Sequence, residues 1–221
     1  MSLQQEIIAR LGVKPVIDPA EEIRRRVDFL KKHVLDSGTS GLLIAVSGGV
    51  DSAVTAALCK KATDELTAEQ GREFETLAVL QPYGEQADID DSYAVVHTFN
   101  IRHVVTNIAE AVDEIALEVE YALKNLGDHR HVSVPGKGNI KARTRMVMQY
   151  ALAFERNLLV VGTDHASEAI TGFFTKYGDG AVDIAPISSL NKRQVRQLAK
   201  ALGVPQRIID KEPTAGFWAG Q

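Results

Sequence analysis

The sequence has 221 residues, 45% of them hydrophobic and 24% charged, with a net charge of −4. That balance suits one soluble globular domain and argues against a general nucleic-acid or membrane surface. A single cysteine, Cys59, excludes an intramolecular disulfide, and no apolar run approaches a transmembrane length, so a cytoplasmic enzyme is expected. One domain over 1–221 is expected from the length, with N-terminal helices over 1–38 and a sheet core over 41–221.

Residues 3–11 read as a short helix with Leu3, Ile7, Ile8 and Leu11 apolar. Asp18-Pro19-Ala20-Glu21 opens a second helix, with Asp18 as N-cap, Pro19 at the first position and Glu21 as reciprocal cap. Ile23, Val27, Leu30 and Val34 form its stripe, and Gly38 ends it. The stretch Gly41–Ser52, GLLIAVSGGVDS, follows. Leu42–Val46 suits a strand buried on both faces. The helix-compatible run Ala53–Leu58 comes after the two glycines and two serines.

Strand, glycine turn and helix start form an anion cradle. Glycines admit a phosphate close to the backbone, and the first N–H groups of the helix point at it. This is neither a Walker A loop nor a dinucleotide G-x-G-x-x-G. Asp51 sits where it should repel phosphate, and a shared Mg²⁺ would reconcile the two. The alternative is a tight turn with Asp51 as N-cap. Cys59, in the helix that follows, reads as a small buried hydrophobe.

Thr63–Arg72 is polar and is expected to be a surface connection. Phe74–Leu80 reads as the second strand, and Gln81-Pro82-Tyr83-Gly84 as a turn at its carboxyl end, where α/β sheets bind ligands. Asp88, Asp90 and Asp91 are explained as acids in a first helical turn. Arg102–Ile108 reads as strand three and Glu110–Leu123 as a helix. Gly127–Asn139 reads as a mobile surface loop, since His129 and His131 lack a third metal-ligating neighbour.

Ile140–Arg156 reads as a helix with a stripe of Ile140, Val147, Tyr150, Ala151 and Phe154. Arg143 falls in that stripe, and a guanidinium aimed inward needs an ion-pair partner or an anionic ligand. Asn157–Gly162 is strand four. Thr163 at its end is positioned for a nucleotide base or ribose, and Glu168 for sharing Mg²⁺ with Asp51. The plainer alternative is that Thr163 or Asp164 caps a helix and Glu168 is solvated. His165 reads as a packed or capping histidine and is given no role in chemistry.

Gly172–Gly180 crowds Phe173, Phe174 and Tyr177 around Lys176, as a ring-stacking ligand site or a glycine-rich loop would. Asp183 bonds a ligand hydroxyl or a turn. Asn191 and Gln194 read as a capping box for a helix with Val195, Leu198, Ala199 and Leu202 buried. Lys192 in its first turn opposes the dipole, which favours a phosphate ligand.

SGGVDS resembles the loop of ATP pyrophosphatases that adenylate a substrate. NIKARTRM, VGTDHASEAITGFFTKYGDG, DIAPISSLNKRQVRQLA and EPTAG resemble the ammonia-dependent NAD synthetases over nearly the whole chain. The resemblance implies an α/β fold of the adenine nucleotide alpha-hydrolase-like (Rossmann-like) kind, three-layered with a mainly parallel sheet. It also implies a homodimer and the amidation of deamido-NAD to NAD through an adenylate, with AMP and pyrophosphate released. Carried over by motif, Ala45, Val46, Ser47, Gly48, Gly49, Val50, Asp51 and Ser52 hold ATP phosphates, and Thr163, Lys192 and Thr214 contact ATP. Arg143, Lys176 and Asp183 contact deamido-NAD, and Asp51 and Glu168 bind Mg²⁺. No general base is assigned. The family pattern continues past the PTA segment to a His-Lys pair that touches the dinucleotide, whereas this sequence ends at Gln221. No glutaminase domain is read in the chain, so free ammonia is the expected nitrogen donor. The competing readings are a GMP-forming or tRNA-thiolating synthetase of the same superfamily, and a non-catalytic ATP-binding module of the universal-stress type.

Overall fold

The computed structural model describes residues 2–212, so Thr214 lies outside the described residues. Helix α1 spans Leu3–Leu11 and α2 spans Pro19–Ser37. Asp18 Oδ1 accepts from Glu21 N–H at 2.9 Å, Pro19 takes the first helical position, and Gly38 ends α2 in the left-handed region. Ile23, Val27, Leu30 and Val34 are buried as the stripe predicts. Glu22 and Arg26 are buried with them, and Glu22 is paired with Lys14, Arg25 and Arg26.

Four strands, β1 (Gly41–Ala45), β2 (Glu75–Leu80), β3 (Arg102–Val105) and β4 (Leu158–Val161), form a parallel sheet in the order β3-β2-β1-β4. Gly41 stands opposite Glu75 and Leu158 in the register. At φ +150° its Cα lies so close to β2 that a Cβ would sit 1.9 Å from Glu75 O. The strand therefore starts on a residue with no side chain.

Helix α3 runs over Val50–Gln70, α4 over Ile89–Thr98, α5 over Ala109–Asn125 and α6 over Val134–Arg156. Shorter helices follow: α7 (Ala166–Thr171), α8 (Lys192–Leu202) and α9 (Gln206–Ile209). Helices α2, α3 and α8 cover one face of the sheet, where Leu30, Leu42, Ile44, Leu58 and Leu198 are fully buried. Helix α6 covers the other face, over Leu43, Leu77, Val79, Leu158 and Val160, and α5 packs against α6. The result is the three-layer α/β arrangement that continuous apolar strands require.

Three expectations are corrected. Thr63–Arg72 is not a surface connection, because α3 continues to Gln70. Thr63 and Leu66 are buried, Thr63 Oγ1 meets Thr76 Oγ1 at 2.8 Å, and Glu65 pairs with Arg24, Lys31 and Lys61. A polar surface on a helix needs no breaker, and none occurs before Gly71. Second, α6 begins at Val134, with Ser133 Oγ accepting from Gly136 N–H at 3.2 Å and Pro135 in the first turn, so half of the expected loop is helix. Third, the stripe of α6 is turned. Val147 is 60% and Phe154 84% exposed, whereas Gly138, Lys141, Ala142, Thr144 and Ala153 are buried. Small side chains let α6 lie close to the sheet, and the large apolar ones face away. Arg143 is accordingly exposed rather than aimed inward.

Cys59 is fully buried in α3, and burial pushes its thiol well above the usual range. We expect no reaction with an aromatic disulfide reagent at pH 8 in the native state, and one thiol per chain in denaturant. Rapid native labelling would contradict this packing.

Candidate active site

The strand order creates a topological switch. The chain moves outward from β1 to β2 and β3, then returns to β4 on the opposite side of β1. The connections leaving β1 and β4 diverge there, and in such sheets ligands bind in the crevice beyond the carboxyl ends of the strands at that point.

The β1 connection is the Ser47–Gly49 turn. Gly48 has φ +82°, and a Cβ on it would meet Asp91 Cβ at 2.9 Å and Ser92 N at 3.0 Å. Glycine is required there both for the backbone sign and for the approach of α4. Ser52 Oγ donates to Gly49 O at 3.0 Å and lies 3.2 Å from Ser47 Oγ, which braces the turn. Gly49 is the N-cap of α3 and provides no side-chain cap, so the first N–H groups of α3 have no side-chain acceptor at the cap. Asp51 is therefore not the cap. It projects from the first turn.

Asp51 meets two residues distant in sequence. Its Oδ2 accepts from Lys192 Nζ at 2.6 Å. Its Oδ1 is buried without a hydrogen-bond partner and lies 3.5 Å from His165 Nε2, itself buried and unpartnered. Lys192 opens α8, whose capping box of Asn191 and Gln194 forms as predicted. Lys192 thus meets a carboxylate here, the partner its position at a helix start had suggested a phosphate for.

The β4 connection delivers the acid side. His165, neither Thr163 nor Asp164, is the N-cap of α7. Its Nδ1 accepts from Glu168 N–H at 3.3 Å, and Glu168 Oε2 accepts from His165 N–H at 3.2 Å. Burial and then the Asp51 charge push the Glu168 carboxyl up to about 7. Burial pulls the His165 imidazole below its usual value, against the attraction of Asp51. Burial, reinforced by Asp179, pushes Asp164 up to about 6.

Asp51, His165 and Glu168 each bring a ligand atom within 4.8 Å of the others. An orphaned buried carboxylate oxygen beside a second carboxylate is a donor set that fits a hard divalent cation such as Mg²⁺. Burial first, and the neighbouring Asp51 charge second, raise the proton affinity of Glu168 at the same place.

The remaining predicted residues divide. Thr163, half-buried, follows β4 at the crevice. Arg143 and Lys176 come together, with Arg143 Nε donating to Lys176 O at 3.2 Å, and both are exposed. Lys176 Nζ lies 5.0 Å from the Tyr177 ring centre. Asp183 holds the fold together: it accepts from Val160 N–H at 2.8 Å and from the Tyr150 hydroxyl at 3.1 Å. His165 caps a helix, one of the two roles the sequence suggested for it, but its place beside Asp51 was missed. The available signal for the cap was the His-x-x-Glu spacing ahead of a helix, which has the form of a capping box.

The family model described as NAD synthase matches residues 22–221. The chain belongs to the NAD synthase family. A curated relative, the NH(3)-dependent NAD(+) synthetase of Limosilactobacillus fermentum, is 46% identical over 216 residues, covering 96% of this chain and 76% of its own. The crystal structure of NAD+ synthetase from Burkholderia pseudomallei superposes with TM-score 0.84 at 34% identity, covering 96% of this chain and 77% of that one. The structure of NMN synthetase from Francisella tularensis gives TM-score 0.80 at 35% identity, over 93% and 79% of the two chains. The NAD synthase fold in this chain is thus the Rossmann-like α/β fold expected, and the family is one of ligases.

Proposed function

We propose that this NAD synthase chain catalyses the ATP-dependent amidation of deamido-NAD by ammonia, giving NAD, AMP and pyrophosphate. The observation that carries the reading is the convergence of Asp51, Lys192 and Glu168 behind the SGGVDS turn at the switch point.

The nicotinate carboxylate is a weak nucleophile with a poor leaving group for amide formation. Its attack on the ATP α-phosphorus converts that oxygen into part of an AMP leaving group, which ammonia then displaces. Negative charge builds on the departing pyrophosphate, so the protein's task is positioning and charge stabilisation. The N–H groups and hydroxyls of residues 45–52 hold the phosphates. Lys192 moves from Asp51 to the charge developing on the phosphates. Thr163 contacts the nucleotide, and Thr214 joins it from outside the described residues. Arg143 and Lys176 bind the anionic acceptor, and Asp183, held against β4, contacts deamido-NAD as well. Asp51 and Glu168 hold Mg²⁺, which when bound supplies neutralisation of the phosphate oxygens. The first step requires no general base.

The chain is further proposed to act in the cytoplasm as a homodimer. No helix among the described residues is long and apolar enough to cross a membrane. Ile115 and Val119 of α5 and Val147 and Phe154 of α6 are exposed, and they are proposed to meet the second copy.

The test is AMP and pyrophosphate release from ATP and Mg²⁺ with each component omitted in turn. We expect release to require deamido-NAD, and NAD to appear only with ammonium. Release with xanthosine monophosphate or with a tRNA in its place would support the competing superfamily readings. Bound ATP with no turnover on any acceptor would support the sensor reading.

A further inference from the structure

His165 stands between the two carboxylates assigned to the cation and is 3% exposed. Its spacing suggests a third ligand, but its hydrogen bonding says otherwise. Nδ1 accepts from Glu168 N–H at 3.3 Å, so Nδ1 carries a lone pair and no proton. A doubly protonated ring would have no acceptor for that bond. The ring is therefore neutral, with its single proton on Nε2. A protonated nitrogen cannot ligate a cation. It can only donate, and it faces Asp51 Oδ1 at 3.5 Å and Glu168 Oε2 at 3.7 Å. Donor and acceptor are each buried and each lack a partner. A contraction of about half an ångström would bring them to ordinary hydrogen-bond length.

We infer that His165 is a positioning residue: its α7 cap fixes the Nε2–H tautomer, and that N–H orients Asp51 Oδ1 for the divalent cation. The inference rests on the reading of Asp51 and Glu168 as the cation ligands. A carboxylate oxygen has two lone-pair directions, so one can take the histidine proton while the other faces the ion. The cap gives the arrangement its coupling. The backbone N–H that fixes the tautomer belongs to Glu168, so the two acidic residues are set by one imidazole.

The test separates the two nitrogens. In His165→Asn the short amide retains an N-cap oxygen and loses the reach to Asp51. In His165→Gln the amide nitrogen lies near the original Nε2, and the cap is lost. Mn²⁺ binding to the full chain with α,β-methylene-ATP is followed by electron paramagnetic resonance, and thermal midpoints are recorded. We expect Asn to keep the thermal midpoint and weaken Mn²⁺ by about tenfold or more. We expect Gln to lower the midpoint and keep Mn²⁺ affinity within about threefold of wild type, since the donor is restored. Imidazole ¹⁵N spectra with Mg²⁺ should show the Nε2–H tautomer. Wild-type Mn²⁺ affinity in the Asn variant, or an Nδ1–H tautomer with Mg²⁺ bound, would overturn the inference. No Mn²⁺ bound by the wild-type chain would instead overturn the cation-site reading, and this inference with it.

Discussion

Asp51→Asn is expected to abolish pyrophosphate release while leaving the fold intact. The amide preserves shape and removes the charge that faces both Lys192 and the cation position. Loss of a charge-stabilising group at a phosphoryl centre costs on the order of a hundredfold to a thousandfold in rate, and this residue is proposed to hold the cation as well. The far-UV circular dichroism spectrum should be unchanged, because Asp51 is in the first turn of α3 and does not cap it. Near-normal turnover in this variant would remove Asp51 from the site.

Lys192→Met should lower the turnover rate by a similar factor of roughly a hundred to a thousand, with the opposite effect on cation binding. The lysine occupies Asp51 Oδ2 at 2.6 Å and competes there for the negative charge. Its removal leaves Asp51 and Glu168 facing each other, and Mn²⁺ should bind as tightly as in the wild type or more so. Asp51→Asn and Lys192→Met thus share a kinetic defect and differ in a metal titration. Equal loss of Mn²⁺ in both would mean that the lysine shapes the site rather than stabilising charge on the phosphates.

The punctuation of the chain was legible because local chemistry sets it. Asp18-Pro19, Gly38, Asn191 with Gln194 and the SGGVDS turn all act within a few residues of where they stand. Packing choices were less legible. Helix α6 carries two apolar-compatible faces, and hydrophobicity favoured the one with Val147 and Phe154. The sheet took the small-residue face, since close approach of backbones outweighs side-chain size there. The polar run over 63–70 looked like a loop because its ion pairs come from α2, 34 and 41 residues away for Lys31 and Arg24 with Glu65. At the site, Asp51, Glu168 and Lys192 were each recognisable as charged residues at strand-to-helix edges. The Asp51–Lys192 contact and the place of His165 needed the strand order, which no window of sequence contains.

The Asp51–Lys192 pair joins positions 141 residues apart. During synthesis the turn proposed to hold phosphate emerges early, while Glu168 and Lys192 arrive only after β4 and the start of α8 have left the ribosome. A nascent chain that exposes the glycine turn alone has a cradle for anions but not the set that would let it cleave a nucleotide. On the proposed reading, competence for chemistry is deferred until β4 has docked beside β1, and a chain stalled before that point is expected to consume no ATP.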